Sequence, residues 1–384
     1  ASRVLRGLWR WRDDVGGRRL VWERARLDFR PDFARLSSVT GWRPTMPKIM
    51  PDGFTPPYEA YEATYRETEL ANAYIGIEDR GGDAAGAEAR MRELLAGDNG
   101  PDTIEYGRLD ATERYPTQLL MVYWRDPSRY AAWRAAPEVT AWFESAEALQ
   151  GDVGRWIETA WVSPEALDTL AADKVRRHGL ATLADEFEVT PYHGYWGGSR
   201  DRIRIADAGS LANPEGPDLK LAEGDDRTLG RLISVEMPHN VCLANGGPDW
   251  SLAGAEERGI FLDKVMPAFQ DGSHYLRDNA EEANCYASRL IQYTDEKGAS
   301  LERMVILAYF LEHKDLEHWT SQHPTHLRIF GEFTKMINTV GRLPDVKLWH
   351  EVSILPSGKL SGLYANCSPK TGFLPYAIAS ARAK

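Results

Sequence analysis

Cysteine is scarce in this chain, which has only three in 384 residues: Cys242, Cys285 and Cys367. They lie far apart, and none belongs to a CxxC or CxxCH pattern. The sequence therefore offers no disulfide framework, no cysteine pair for zinc and no attachment site for a c-type haem. A few unpaired thiols are typical of a reducing compartment, so we expect a cytoplasmic location.

An excess of basic residues is also lacking, as are long apolar runs. The net charge is −11, and the Lys and Arg residues are dispersed, which argues against nucleic acid as a partner. No apolar run is long enough to cross a bilayer, so we expect no membrane partner. The hydrophobic fraction of 43%, with 13 Trp and 16 Tyr, indicates an ordered globular protein with one large core or two small ones.

Residues 1–41 differ from the rest because they are rich in Arg and Trp within an acidic protein. They lack the apolar core of a secretory signal, so we predict a poorly ordered N-terminal extension rather than a targeting arm. Residues 42–384 are predicted to form a single α+β domain. Strand and helix patterns do not alternate strictly there, which argues against a doubly wound parallel sheet.

Hydrophobic periodicity gives the expected elements of this domain. Strands are predicted over residues 71–78, 118–124, 156–162, 231–243, 285–293, 303–310, 346–355 and 362–367. Helices are predicted over residues 84–96, 128–142, 254–268 and 324–338.

The chain contains a faint internal repeat. LLMVYWRDPSRYAAWRAAPEVTAWF and MVILAYFLEHKDLEHWTSQHPTHLRIF share an apolar strand, a polar break, a helix with a central Trp, and then a proline, Pro137 or Pro324. Two residues beyond the proline stands Val139 in the first copy and His326 in the second. This pattern predicts two related halves of which only one carries an imidazole. Two unrelated strand-to-helix units remain equally compatible with so few matches.

Two histidines are placed on apolar faces by their periodicity. His326 shares a helical face with Ile329, Phe330, Phe333 and Ile337, and His350 shares a strand face with Val346, Leu348, Val352 and Ile354. An imidazole is costly to bury without a partner. Two interpretations stay open at this point: each ring bonds a core carbonyl or hydroxyl, or the two rings flank a buried cofactor. A zinc site is not indicated, because Pro324 places His323 before the helix and no further ligand pair accompanies it.

Four blocks of sequence carry a resemblance to a known family. They are YHGYWGGSRDR at 192–202, ERGIFLDKVMPAFQDGSHYLRDN at 257–279, HWTSQHPTHLRIF at 318–330, and LWHEVSIL with YANCSPKTGFLP at 348–375. From about residue 42 to 375 the chain resembles the haem-containing aldoxime dehydratases, the phenylacetaldoxime dehydratase family. The resemblance implies a dimeric ferredoxin-like α+β barrel, with an antiparallel sheet and flanking helices, that binds haem b without a covalent bond. Its two related halves would span about 55–190 and 200–384.

The resemblance also implies roles for three residues. His326 matches the axial ligand of the haem iron, His350 the distal histidine, and Arg202 the distal arginine. From the residues alone, Arg200 or Arg204 could equally be the inward arginine of this block.

Two positions depart from the family pattern. The family has a distal serine or threonine just before a (Q/P)-(D/N)-Trp segment, and that position is Gly246 here, so a hydroxyl for the oxime oxygen is missing. Asn245 could supply a donor, although strand alternation turns it to the other face. Ser368 stands where the family commonly has histidine. We place Gly246 and Asn245 at the substrate pocket.

The activity implied by the resemblance is dehydration of small-molecule aldoximes, R–CH=N–OH, to nitriles by a homodimeric lyase. The oxime nitrogen would bind ferrous haem directly, His350 would act as general acid and base, and Arg202 would hold distal polar groups. Three alternatives stay open: a relative acting on another N–O or N–N substrate, a haem peroxidase, and a non-catalytic haem-binding protein. Peroxidases of the dye-decolourising or chlorite dismutase type favour a distal Asp or Arg without histidine, so His350 argues against them.

Overall fold

The computed structural model describes residues 7–14, 17–24, 48–206, 211–214, 219–222 and 228–383. The strands are β1 Gly7–Asp14, β2 Gly17–Arg24, β3 Ala60–Thr64, β4 Leu70–Asp79, β5 Thr103–Leu109, β6 Thr117–Trp124, β7 Val153–Val162, β8 Leu167–Ala171, β9 Glu186–Thr190, β10 Leu232–Glu236, β11 Val241–Asp249, β12 Cys285–Thr294, β13 Ser300–Phe310, β14 Lys347–Leu355 and β15 Leu360–Ala365. The α-helices are α1 Ala84–Leu95, α2 Pro127–Ala135, α3 Pro137–Glu144, α4 Gly198–Arg202, α5 Ala255–Ile260, α6 Met266–Asp278, α7 His313–Gln322, α8 Pro324–Val340 and α9 Leu374–Ala383.

Thirteen of the described strands form one antiparallel sheet, in the order β10-β15-β7-β4-β6-β5-β12-β13-β11-β14-β8-β3-β9. Strands β1 and β2 pair only with each other, and the rest of the predicted 1–41 extension lies outside the described residues. The predicted α+β class, with a large antiparallel sheet and flanking helices, is confirmed. Within the described ranges no helix is both long and apolar enough to cross a membrane.

Two stretches of the chain repeat the same order of elements. The first runs β4-α1-β5-β6-α2-α3-β7, and the second runs β11-α5-α6-β12-β13-α7-α8-β14. In each, the first strand lies between the third and the fourth, and the second strand lies outside the third. The two sets of strands join where β5 pairs with β12. The repeat seen in the sequence corresponds to β6-α2-α3 and β13-α7-α8, so Pro137 and Pro324 begin equivalent helices.

Alternation along the strands gives the second half of the sheet two apolar faces. Cys242, Ile306 and Val352 point towards helices α5 to α8. Leu243 and Leu307 point the other way, where they join buried residues of the first half in the largest core. The predicted strand face of His350 is therefore the face that the helices of the second half cover.

One proline and one asparagine explain two differences between the predicted and the observed elements. The predicted helix 128–142 is two helices, because Pro137 lacks the N–H of a continuing helix and leaves Ala136 extended, with φ −61° and ψ 136°. The predicted strand 231–243 is also two strands. Asn240 lies between them in the left-handed region at φ 61°, and β11 continues to Asp249.

The predicted helix 254–268 extends further than expected. A π-helical turn, Phe261–Val265, connects α5 to α6, and α6 continues to Asp278. Pro267 lies just after this turn and cannot donate a hydrogen bond to the carbonyl of Asp263, which is consistent with the irregular turn at that point.

Candidate active site

The first imidazole is positioned by the start of α8. Pro324 is the first helical residue, and the His323 side chain caps the helix by accepting a hydrogen bond from the Thr325 N–H. His326 follows in the first turn, and its ring packs edge-on against Trp319, with 4.8 Å between ring centroids. Nδ1 of His326 is buried and meets no carboxylate among the described residues, and the Thr320 backbone is the hydrogen-bond partner of the ring. Burial lowers the pKa of His326 to about 4, although the Thr320 backbone opposes the shift, so the ring is neutral at neutral pH.

The second imidazole belongs to a buried charged cluster on the sheet. His350 lies on β14, and its Nε2 is 3.2 Å from Oδ2 of Asp168 and 2.9 Å from Nη2 of Arg202. Asp168 comes from the adjacent strand β8, where it pairs with Val352, two residues beyond His350. Because residues two apart point to the same face, Asp168 and His350 meet on the helix-covered side of the sheet.

Arg202 and Asp168 form a buried, bidentate ion pair. Nε of Arg202 donates to Oδ1 of Asp168 at 2.6 Å, and Nη2 donates to Oδ2 at 3.0 Å. Nη1 of Arg202 donates to the Tyr192 carbonyl. Burial alone would raise the pKa of Asp168, but Arg202 and His350 outweigh it and hold this pKa well below its usual range. The cluster therefore contains a carboxylate that stays ionised at any working pH.

The short helix α4 determines which arginine points inward. Asp201 accepts backbone hydrogen bonds from Ile49 and Met50, both at 2.9 Å, and a 2.6 Å hydrogen bond from the Tyr195 hydroxyl. These contacts fix one side of α4 and leave the next residue, Arg202, directed at Asp168. Arg204 is exposed and pairs with Glu165 at the surface. Of the three arginines in RDRIR, only Arg202 is buried.

The two imidazoles face the same cleft between the sheet and α8. They are close enough that a charge on His350 lowers the pKa of His326. Ala244 and Gly246 are half-exposed although they lie on a central strand, and Leu348 is 42% exposed beside His350. Across from them, apolar residues of α8 are also only half-buried: Ile329, Phe330 and Phe333. An open apolar cleft, with a neutral imidazole on one side and a polar cluster on the other, fits a haem b group.

Gly246 and Asn245 lie on opposite faces of β11. Gly246 pairs with His350, and a Cβ added to it would lie 2.7 Å from the Cβ of His350 and 3.0 Å from the Trp349 carbonyl oxygen. The glycine thus lines the cleft and allows a close approach of β14. Asn245 is buried on the other face, where its side chain interacts with Glu351. The structure brings Gly246, Arg202, His326 and His350 to the cleft but does not bring Asn245 there.

Asp168 is the member of this cluster that the sequence analysis missed. It lies in the five-residue strand β8, LDTLA, which the periodicity had not predicted. The only sign in the sequence that Asp168 is buried was its position inside a short apolar run. Its partners Arg202 and His350 are 34 and 182 positions away, so the pairing could be seen only in the fold.

Known proteins are similar to this chain over most of its length. The family model for haem-containing dehydratases matches residues 73–373. The chain is 30% identical over 334 residues to phenylacetaldoxime dehydratase of Bacillus sp. (strain OxB-1), covering 86% of this chain and 94% of that protein. It is 31% identical over 345 residues to aliphatic aldoxime dehydratase of Rhodococcus globerulus, covering 88% of this chain and 96% of that protein.

A solved structure of an aldoxime dehydratase in complex with butyraldoxime is also similar, with a TM-score of 0.77 and 28% identity, covering 86% of this chain and 92% of that one. The family model and the similar proteins cover most of the sequence, and the fold is shared: this chain belongs to the haem-containing dehydratase family.

Proposed function

We propose that this protein is an aldoxime dehydratase, which converts R–CH=N–OH to R–C≡N and water. The family membership and the names of the similar proteins support this activity. The observation that carries it is the position of His350, whose Nε2 lies within hydrogen-bond distance of both Arg202 and Asp168 and faces the same cleft as His326.

In this proposal His326 would hold the haem iron, and the apolar residues of α8 and β11 that line the cleft would hold the ring. When bound as ferrous haem b, the cofactor supplies an iron that takes the oxime nitrogen and weakens the N–O bond. The buried Nδ1 of His326 has no carboxylate partner among the described residues, so the ligand is a neutral imidazole. A neutral ligand leaves the iron less electron-rich than one bonded to a carboxylate, which favours the ferrous form.

His350 supplies the proton chemistry. Hydroxide is a poor leaving group, so the oxime hydroxyl needs a proton as the N–O bond breaks, and the carbon-bound proton must then be removed. Nε2 of His350 is held at Asp168 and Arg202, so the proton exchanged with the oxime must be carried by the other ring nitrogen, Nδ1. Nε2–H can donate to Asp168 both when the ring is protonated and after Nδ1 has given up its proton. The imidazole can therefore release a proton from Nδ1 and regain one there without losing its position.

Asp168 and Arg202 act together as a fixed pair. The carboxylate stays ionised, so it compensates the charge of a protonated His350 without taking its proton. Arg202 compensates Asp168 when His350 is neutral, and its bidentate geometry holds the carboxylate in one orientation.

The remaining predictions from the resemblance belong to the same proposal. We infer that the two stretches with equal element order are ferredoxin-like halves of one α+β barrel, as their strand order supports. A homodimer and a cytoplasmic location also stay predictions. Gly246 favours one second candidate, a haem enzyme of this family acting on another N–O or N–N substrate, because no hydroxyl is present there.

The test is a spectrum followed by an assay. Purified protein, reconstituted with haem and reduced with dithionite, should show the absorbance of a histidine-bound ferrous haem. It should then form nitrile from phenylacetaldoxime or butyraldoxime, measured by gas chromatography. A colourless protein after reconstitution would refute the cofactor assignment. A haem-loaded, reduced protein that forms no nitrile from either oxime would refute the activity.

A further inference from the structure

Trp196 is a large apolar side chain at the surface that the proposed reaction does not use. It is 36% exposed and lies in the loop that leads into α4. Its ring centroid is 6.0 Å from that of His326, at an interplanar angle of 68°, and 5.5 Å from that of Phe330. The exposed indole therefore covers the imidazole proposed as the iron ligand.

The position of this indole is set by the loop around it. Gly194 and Gly197 adopt positive φ angles of 80° and 94°, which only glycine takes readily. A Cβ at Gly197 would lie 2.2 Å from Cδ1 of Ile49, so the loop packs tightly on the segment that precedes β3. Tyr195, next to Trp196, is held by its hydrogen bond to Asp201. The contact between Trp196 and His326 thus results from several constraints.

A second indole contacts the same imidazole. Trp319 is 7% exposed, its ring centroid is 4.8 Å from that of His326, and its Nε1 donates to Oγ1 of Thr325 at 3.0 Å. His326 therefore contacts one buried indole, Trp319, and one partly exposed indole, Trp196. Of these two, Trp196 is the one that solvent reaches.

We propose that Trp196 is a cofactor-retaining residue that shields His326 from water and slows the loss of haem. The inference rests on the proposed function, because it takes His326 as the iron ligand. Haem leaves a protein when the histidine–iron bond opens and water reaches the ligand, and an apolar side chain packed on the imidazole opposes that entry. Trp196 acts by packing, since indole against the ring edge makes no hydrogen bond to it.

The experiment measures the rate at which the haem-loaded enzyme transfers its haem to an excess of apomyoglobin, followed by the change in Soret absorbance. Trp196→Ala should lose haem about tenfold faster or more, as expected for removing a partly buried indole. Trp196→Phe should stay closer to the wild-type rate because it keeps an aromatic ring on His326. Trp161→Ala is the matched control: Trp161 is also half-buried but packs on Tyr130 in the first half, so its rate should not change.

The outcomes separate this inference from the proposed function. If His326→Ala loses haem but Trp196→Ala and Trp196→Phe both release it at the wild-type rate, the shielding role is overturned and the proposed function stands. If His326→Ala retains haem as well as the wild type, the ligand assignment fails and the shielding role fails with it. A rate increase shared equally by Trp161→Ala would indicate a general loosening and would also overturn the proposal.

Discussion

Nε2 of His350 lies 3.2 Å from Oδ2 of Asp168 on the neighbouring strand, and Nη2 of Arg202, from α4, lies 2.9 Å from the same nitrogen. This relationship holds one nitrogen of the imidazole in place and leaves the other nitrogen to exchange a proton. Removing His350 and removing Asp168 should therefore have different consequences.

His350→Ala should keep haem and lose turnover. The imidazole is half-exposed to the cleft and is not the proposed iron ligand, so the Soret absorbance should persist. Loss of a general acid and base should lower kcat by about 10²- to 10⁴-fold. Nitrile formation by the haem-loaded variant under saturating oxime is the measurement. An unchanged kcat would refute the proton-transfer role.

Asp168→Asn should lower both kcat and stability. It keeps the shape of the side chain but leaves the buried charge of Arg202 without a counter-charge, which typically costs about 3–5 kcal/mol. The reoriented His350 should lower kcat by at least about tenfold. Urea unfolding and nitrile assays on haem-loaded protein test both expectations. Glu165→Gln, which removes an exposed partner of Arg204, is the control and should change unfolding free energy by less than about 1 kcal/mol. Equal losses of unfolding free energy in Asp168→Asn and Glu165→Gln would contradict the assignment of Asp168 as the buried partner of Arg202.

Gly246→Ser should damage the site, even though it restores the hydroxyl found in the family. The new Cβ would lie 2.7 Å from the Cβ of His350, so β11 and β14 must separate and His350 must move. Overpacking of this kind costs about 1–3 kcal/mol. We expect a lower Tm and slower nitrile formation. Gly259→Ser, where a Cβ meets nothing within 4 Å, is the matched control. A faster enzyme with an unchanged Tm would show that the strands accommodate the serine.

Glu351 should make a contribution to stability that falls as pH rises through the neutral range. This residue is buried behind His350, where it accepts the Ala181 N–H at 2.9 Å, and burial raises its pKa to about 8. In an unfolded chain the pKa of a glutamate is about 4.3. Between these values Glu351 is protonated in the folded protein and ionised in the unfolded chain, so its contribution to the unfolding free energy decreases with increasing pH.

Glu351→Gln should remove much of that decrease. Going from pH 5 to pH 9, the wild type should lose more unfolding free energy in urea, or gain less, than this variant, by an amount on the order of a few kcal/mol. Glu93→Gln, at an exposed carboxylate on α1, should leave the wild-type profile unchanged. Parallel pH profiles for Glu351→Gln and the wild type would argue against a raised pKa.

Each chain should bind one haem. In the first half, the helices equivalent to α7 and α8 contribute buried apolar side chains to the core: Trp133, Val139, Trp142 and Phe143. Val139 occupies the position of His326 in the repeat. Pyridine haemochrome quantification against protein concentration should give one haem per chain, and Val139→His should not add a second. A ratio near two would refute this asymmetry.

The sequence indicated the parts of the fold that have long, regular apolar patterns. Strands β4, β6, β12, β13 and β14 were predicted close to their observed bounds, and so was α8 with its Pro324 start. Helix α7, HKDLEHWTSQ, was indicated by the internal repeat but not by periodicity, because only His313, Leu316 and Trp319 of its ten residues are buried. Its other residues are mostly polar, so too few apolar positions remain to show a helical period.

The candidate site was predicted only in part, for a related reason. His326 and His350 stand on regular apolar faces, so their inward direction follows from periodicity. Asp168 lies on a strand too short to show a period, and its burial makes sense only beside Arg202. The close approach at Gly246 depends on the separation of two strands, which the sequence pattern does not contain.

The backbone N–H groups of Ile49 and Met50 bind the carboxylate of Asp201, the residue before Arg202. A chain shortened past residue 50 would release one end of α4, and the arginine that faces His350 would lose its support. Ile49 and Met50 must therefore be kept in any shortened variant of the protein. A fusion partner or a protease site should be placed before them.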